Sequence, residues 1–235
     1  MEAQPEGASG VVWFPAVGVV VGLAVGVTFA VTQVVLPAMV AATLAVAIGV
    51  VITGAFHEDG LADTFDAFGG GRTPDDVHRI LKDPRLGTFG VLTLVLGTVV
   101  KVGAIAPLDG WAALAVLPAA HAFSRSAAVT LLGFVPIATG GSAGWVARGV
   151  TARQISVTSV LGSAIALVLI GMWVIPSIVA AVVVVVVLAR WAVGKADGLT
   201  GDVLGAAQQL VEIVVLVGAS AVVTNGWGTL PWWRA

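Results

Sequence analysis

Four carboxylates, Glu58, Asp59, Asp63 and Asp66, stand close together in the stretch HEDGLADTFDAFGGG, His57 to Gly71. If residues 58–68 are helical, each step turns 100°, and Asp59, Asp63 and Asp66 fall within about 60° of one another. Leu61, Phe65 and Phe68 then occupy the opposite side. A polar face of three carboxylates with no compensating lysine repels itself and weakens its own helix, so a cation is expected there. Oxygen ligands in this number suit Mg²⁺, with Mn²⁺ as a substitute, because both take carboxylates plus water and bridge to phosphate oxygens. The candidate metal ligands are Glu58, Asp59, Asp63 and Asp66. The competing reading is a solvated acidic face at a membrane boundary, although such a face ordinarily mixes both signs.

A second helix is expected just downstream. Thr73 can cap it, Pro74 suits its first position, and Asp75 and Asp76 favour its first turn. Pro84 stops it, which leaves Lys82, Asp83 and Arg85 together. Cations beside a carboxylate–metal site are what a diphosphate substrate requires, with metal on some oxygens and Lys or Arg on the rest. Positive-inside anchoring accounts for Lys82 and Arg85 equally well. The run Gly69 to Gly71 reads as a hinge rather than a phosphate cradle.

Further polar residues lie inside apolar runs. His121, Ser124 and Arg125 share one helical face, and Glu212 sits at a matching depth in the last run. An intramembrane charge is costly and normally paired or facing a cavity. Arg125 and Glu212 are therefore expected as neighbours around a polar pocket, either binding substrate or forming a structural ion pair. Lys101, near the far end of its run, is expected to snorkel.

The elements that must position these groups follow from composition. Of 235 residues, 58 % are hydrophobic and only 10 % charged, against roughly 25 % charged in soluble domains. Mean hydropathy is +1.05. A water-soluble surface cannot be made from so few polar residues. There is no cysteine, which excludes disulfides and thiolate chemistry, and no basic patch of the kind that binds nucleic acid. The expected fold is all-α, a polytopic integral membrane bundle forming one domain over 1–235. About seven spans are expected, near 11–31, 35–56, 88–107, 111–134, 157–175, 177–193 and 205–224, with Pro176 as a turn or kink. The first is too long and its leader too acidic for a cleaved signal peptide. An amphipathic segment, 57–87, follows the second span. Arg72, Arg79, Lys82, Arg85, Arg148, Arg153 and Lys195 fall on one side, with only Arg234 on the other. The positive-inside rule makes that basic side, and the acidic stretch with it, cytoplasmic.

FHEDGLADTFD (Phe56 to Asp66), KDPRLGTFG (Lys82 to Gly90) and GLTGDVLGAAQQLVE (Gly198 to Glu212) resemble, in order, the motifs of the cobalamin synthase family, adenosylcobinamide-GDP ribazoletransferase. FPAVG at Phe14 to Gly18, Lys101 and Ser124–Arg125 add to the likeness. The resemblance implies a multi-pass cell-membrane enzyme with its active site facing the cytoplasm. It implies Mg²⁺-dependent joining of adenosylcobinamide-GDP to α-ribazole or its 5′-phosphate, with release of GMP. Carried over by motif, Asp59, Asp63, Asp66 and Asp83 are the catalytic candidates. Lys82, Arg85, Arg125, Asp202 and Glu212 are the substrate-binding ones. Expected partners are these substrates and the lipid bilayer, with a homo-oligomer or association with other cobalamin-assembly enzymes left open, and no nucleic acid.

Three positions depart from the family pattern. No arginine- and proline-containing segment precedes the first span, Gln209 stands where an acid is common, and Pro84 where serine is. The loop 136–147 is uncharged, so no role is carried over to it from the family. A CDP-alcohol phosphotransferase is the competing enzyme reading, but Asp63-Thr64 stands where its pattern needs Ala-Arg. A transporter is the competing non-enzyme, but no internal repeat is visible and the acid gathers at one mouth.

Overall fold

The computed structural model describes residues 10–138 and 149–234. Arg148, the leader 1–9 and most of the loop 136–147 lie outside the described residues. The rest is helical: α1 (Phe14–Thr32), α2 (Ala38–Thr53), α3 (Phe56–Gly70), α4 (Pro74–Ile80), α5 (Thr88–Ile105), α6 (Gly110–Thr130), α7 (Ala152–Ile170), α8 (Val174–Ala196) and α9 (Gly201–Thr224). The single extended pairing among the described residues is a bridge between Ile137 and Leu199.

The bundle is organised around α6, whose alanine-rich sequence leaves it buried along nearly its whole length. Small residues let helices approach closely in a bilayer, where association depends on packing and not on the hydrophobic effect. Gly18 and Gly22 of α1 show how close: a Cβ at Gly18 would sit 2.5 Å from the His121 carbonyl oxygen, and one at Gly22 2.5 Å from Pro118 Cα. Helices α2, α5 and α8 expose Val, Leu and Ile along their outer faces, as lipid-facing surfaces do.

Five helical runs are long and apolar enough to cross a membrane, and the bent pair α2–α3 makes a sixth. One of the five is the 45-residue stretch Ala152–Ala196, which as a straight helix would be about 68 Å long, over twice the hydrocarbon core. It doubles back instead. Gly171 takes φ 64°, ψ −146°, outside the helical region. Both the start of α7 and the end of α8 lie at the segment after α6: Ile155 packs near Gly133, and Leu199 N–H donates to the Pro136 carbonyl at 2.7 Å. The expected break between spans five and six is therefore real, but Gly171 makes it, while Pro176 falls in the first turn of α8.

The chain turns through 91° between α2 and α3, so the acidic stretch forms a helix set nearly at right angles to the apolar one before it. Gly54 (φ 64°) and Ala55 (φ 59°) make the turn. Ala55 is the notable one, since a side-chain-bearing residue in this region costs about 1–2 kcal/mol. Leu61 and Phe68 of α3 are buried as expected, and Phe65 and Phe68 both pack edge-on against Trp191 of α8. The cap of α4 is also as expected, with Thr73 Oγ1 accepting the Asp76 N–H at 3.2 Å. Gly71 is no hinge: a Cβ there would meet Val77 Cγ2 at 2.5 Å and the Ala67 carbonyl at 2.7 Å, so it is a packing position. At the far end of the bundle Trp232 donates to the Val168 carbonyl and Arg234 lies 5.3 Å over the Trp111 ring. The tryptophan tail and the acidic helix thus mark opposite ends.

Candidate active site

Helices α3 and α9 meet through two glycines. A Cβ on Gly60 would lie 2.9 Å from the Asp202 carbonyl oxygen, and Gly205 faces Gly60 and His57 in turn. This contact sets Asp202, in the first turn of α9, beside Asp59 and Asp63 of α3. Asp59, Asp202 and Asp66 all act electrostatically on Asp63. Among the described residues no Lys, Arg or His forms an ion pair with Asp59, Asp63 or Asp202. The three form an acidic mouth with no counter-charge of its own. No three carboxylate or histidine groups among the described residues are drawn tightly enough to coordinate one ion as they stand. The donor set, oxygen alone with surplus negative charge, still suits a hard divalent cation.

The other two expected ligands are placed in different company. Asp66 is buried and accepts the amide N–H groups of Gly87 (2.7 Å) and Gly90 (2.8 Å) at the start of α5. It is a cap for that helix, where free N–H groups and the helix dipole favour a carboxylate. Glu58 points inward, accepting from Gln209 Nε2 at 3.0 Å, with Lys101 Nζ 3.9 Å away. Its Oε2 is buried without a hydrogen-bond partner.

Deeper in the bundle the charges neutralise one another. Glu212 Oε1 lies 2.7 Å from Lys101 Nζ, and Oε2 lies 3.0 Å from His121 Nδ1 and accepts from Gln208 at 2.7 Å. Gln208 also donates to Ser124 Oγ, and Gln209 joins Lys101, Glu58 and Gln208. One expectation is corrected here: Lys101 does not snorkel, but turns into the bundle toward Glu212. Arg125 and Glu212 line one small polar cavity, as expected, but do not form a direct ion pair, since His121 stands between them: Arg125 Nη1 donates to the His121 carbonyl at 3.0 Å and lies 3.2 Å from its Nδ1.

The loop bearing Lys82, Asp83 and Arg85 is not joined to the acidic mouth by any ion pair. Arg85 Nε and Nη2 grip Asp83 at 2.9 and 2.7 Å. Those bonds pull the Asp83 carboxyl down to about 2. Neighbouring opposite charges on an exposed loop satisfy each other, and Lys82 points to solvent.

Between the mouth and the deep network lies a cleft of ≈ 210 Å³, lined by Asp59, Asp202, Arg125, His57 and Gln208 on its polar side and by Phe14, Val129, Leu132 and Leu204 on its apolar side. A second opening, ≈ 570 Å³, faces sideways between α1 and α2 and is lined by Trp13, Val17, Val20, Ile52 and Phe56; His57 and Arg125 border both. His57 and Gln208 were not among the expected site residues. Their signal was present, as a polar residue beside the acidic motif and another one turn before Glu212.

The cobalamin-5-phosphate synthase family model matches residues 1–220. The chain belongs to that family. It is 38 % identical over 192 residues to the adenosylcobinamide-GDP ribazoletransferase of Ralstonia pickettii, covering 78 % of this chain and 69 % of that protein. The protein of the same name from Chlorobaculum parvum is 36 % identical over 213 residues, covering 88 % and 84 %. That of Bradyrhizobium diazoefficiens is 35 % identical over 173 residues, covering 73 % and 66 %. No solved structure matches the chain. The family is one of transferases in cobalamin biosynthesis, and membership sets aside the phosphotransferase and transporter readings.

Proposed function

We propose that this chain joins adenosylcobinamide-GDP to α-ribazole or its 5′-phosphate and releases GMP, with the reaction at the acidic mouth facing the cytoplasm. The relatives' shared name supports the substrates. The observation that carries the site is the group Asp59, Asp63 and Asp202, three carboxylates facing one another across α3 and α9 with no cation paired to them. Asp59, Asp63 and Asp202 would hold Mg²⁺ or Mn²⁺, which when bound supplies charge neutralisation for the diphosphate.

A ribose hydroxyl of the acceptor attacks the phosphorus that bears the cobinamide. A new O–P bond forms, the pyrophosphate bond to that phosphorus breaks, and GMP leaves with the electron pair. One carboxylate of the mouth takes the hydroxyl proton. Arg125, lining the cleft beside Asp59 and Asp202, offers guanidinium donors to phosphate oxygens as charge builds on them. Its neighbours fix it in place, since one Nη1 hydrogen is already held by the His121 carbonyl.

The test is GMP release from adenosylcobinamide-GDP plus α-ribazole by the detergent-solubilised protein. The expected result is turnover that chelator abolishes and Mg²⁺ restores. No GMP release at any divalent-ion concentration, from folded protein, overturns the reading.

A further inference from the structure

We infer that the cleft between α1, α6 and α9 seats the base of the acceptor nucleoside, and that Leu132 and Leu204 determine which base is accepted. This rests on the reading just given and adds where one substrate lies. The cleft combines two chemistries that an apolar nucleoside needs together. Phe14, Val129, Leu132 and Leu204 make one wall, while Asp59 and Asp202 stand at the other. A benzimidazole base is a fused aromatic ring with no exocyclic amino or keto group, so it gains by leaving water for an apolar wall. Its ribose hydroxyl must meanwhile reach the carboxylates. The sideways opening between α1 and α2 is larger but has no carboxylate in its lining, and the cavity of the deep network, which has Glu58 and Glu212, is only ≈ 20 Å³.

The donor has the opposite character. Guanine, two phosphates and an amide-fringed corrinoid are polar and far too large for ≈ 210 Å³, so they belong at the open mouth. The wall also accounts for discrimination. Phe14, Val129, Leu132 and Leu204 carry no hydrogen-bonding side chain, and a purine whose exocyclic polar groups lay against them, away from His57, Arg125 and Gln208, would lose its water there without replacement. Leu132 and Leu204 are only half-buried, so larger side chains there extend into the cleft instead of into the core.

The experiment is calorimetric titration of the full-length, detergent-solubilised chain with α-ribazole and, separately, with adenosylcobinamide-GDP. Leu204→Trp and Leu132→Trp are expected to weaken α-ribazole binding about tenfold or more and to leave the donor within about twofold of the unsubstituted protein. Leu204→Ala, which cannot overpack, is expected to weaken α-ribazole several-fold. Unchanged α-ribazole binding in folded variants, or weakened donor binding in its place, overturns the inference while leaving the transferase reading intact. If the unsubstituted protein binds neither ligand, both fall.

Discussion

The mouth and the deep network use the same kinds of residue to opposite ends. In the mouth, Asp59, Asp63 and Asp202 confront one another without a cation among the described residues. In the network, Glu212 and Glu58 are matched by Lys101, with Arg125 close by, and laced by Gln208 and Gln209. A charge inside a bilayer must be answered locally, because no water is at hand to do it. A charge at the edge can be left unanswered, at the cost of repulsion, until a ligand brings the counter-charge. The network ties α3, α5, α6 and α9 together, and on the function proposed above the mouth would supply binding energy for a cation. Arg125 and His57 connect them, bordering the small cavity of the network and the cleft of the mouth alike.

Breaking the network should do the largest damage to the fold. Glu212→Ala takes from buried Lys101 its closer carboxylate, leaving only Glu58 at 3.9 Å and the Gln209 amide, and should cost up to about 3–5 kcal/mol, read as a lower melting temperature in detergent. Lys101→Met with Glu212→Leu should recover only part of that stability: apolar replacement of a buried pair is often neutral, but Glu58 then loses Lys101 as its counter-charge. Activity measured in the double variant then tells whether the network does more than hold the helices.

Breaking the mouth should do the reverse. Asp63→Asn should lower turnover by about 10²–10³-fold while the melting temperature holds or rises, since a repulsion is relieved. Asp202→Asn should behave alike and raise the Mg²⁺ concentration needed for half-maximal rate. Loss of stability in either variant would mean that the two regions are not distinct in kind.

Asp66 tests the border between them. As a cap on α5 it should be worth about 1–2 kcal/mol, so Asp66→Ala should lower the melting temperature without changing the Mg²⁺ requirement. A shifted Mg²⁺ requirement would return Asp66 to the metal site. The smallest effect is expected at Arg85, already held by Asp83: Arg85→Ala should reduce turnover less than about threefold. A hundredfold loss would mean that the loop folds over the mouth during reaction.

The glycine-to-helix contacts explain why some of this was legible in the chain and some was not. The bundle, its apolar spans, the cap of α4 and the aspartate face of α3 are local, set by composition and by the 3.6-residue period. Which acid meets which base is not local. Lys101 and Glu212 are far apart in sequence and come together because α5 and α9 pack on each other and both pack on α3. Asp66 looked like Asp59 and Asp63 in the helical projection, yet the start of α5 takes it as a cap.

From the chain alone came the membrane setting, the motif residues and the acidity of one helix, because hydropathy and periodicity are written residue by residue. The motif resemblance already implied Asp202 at the same mouth; the tertiary structure alone decided that His121 separates Arg125 from Glu212, that Asp66 caps α5, and that Glu58 turns inward. Electrostatic partnership depends on distances of a few ångströms between separate helices, and those distances are set by small-residue packing that no single segment encodes.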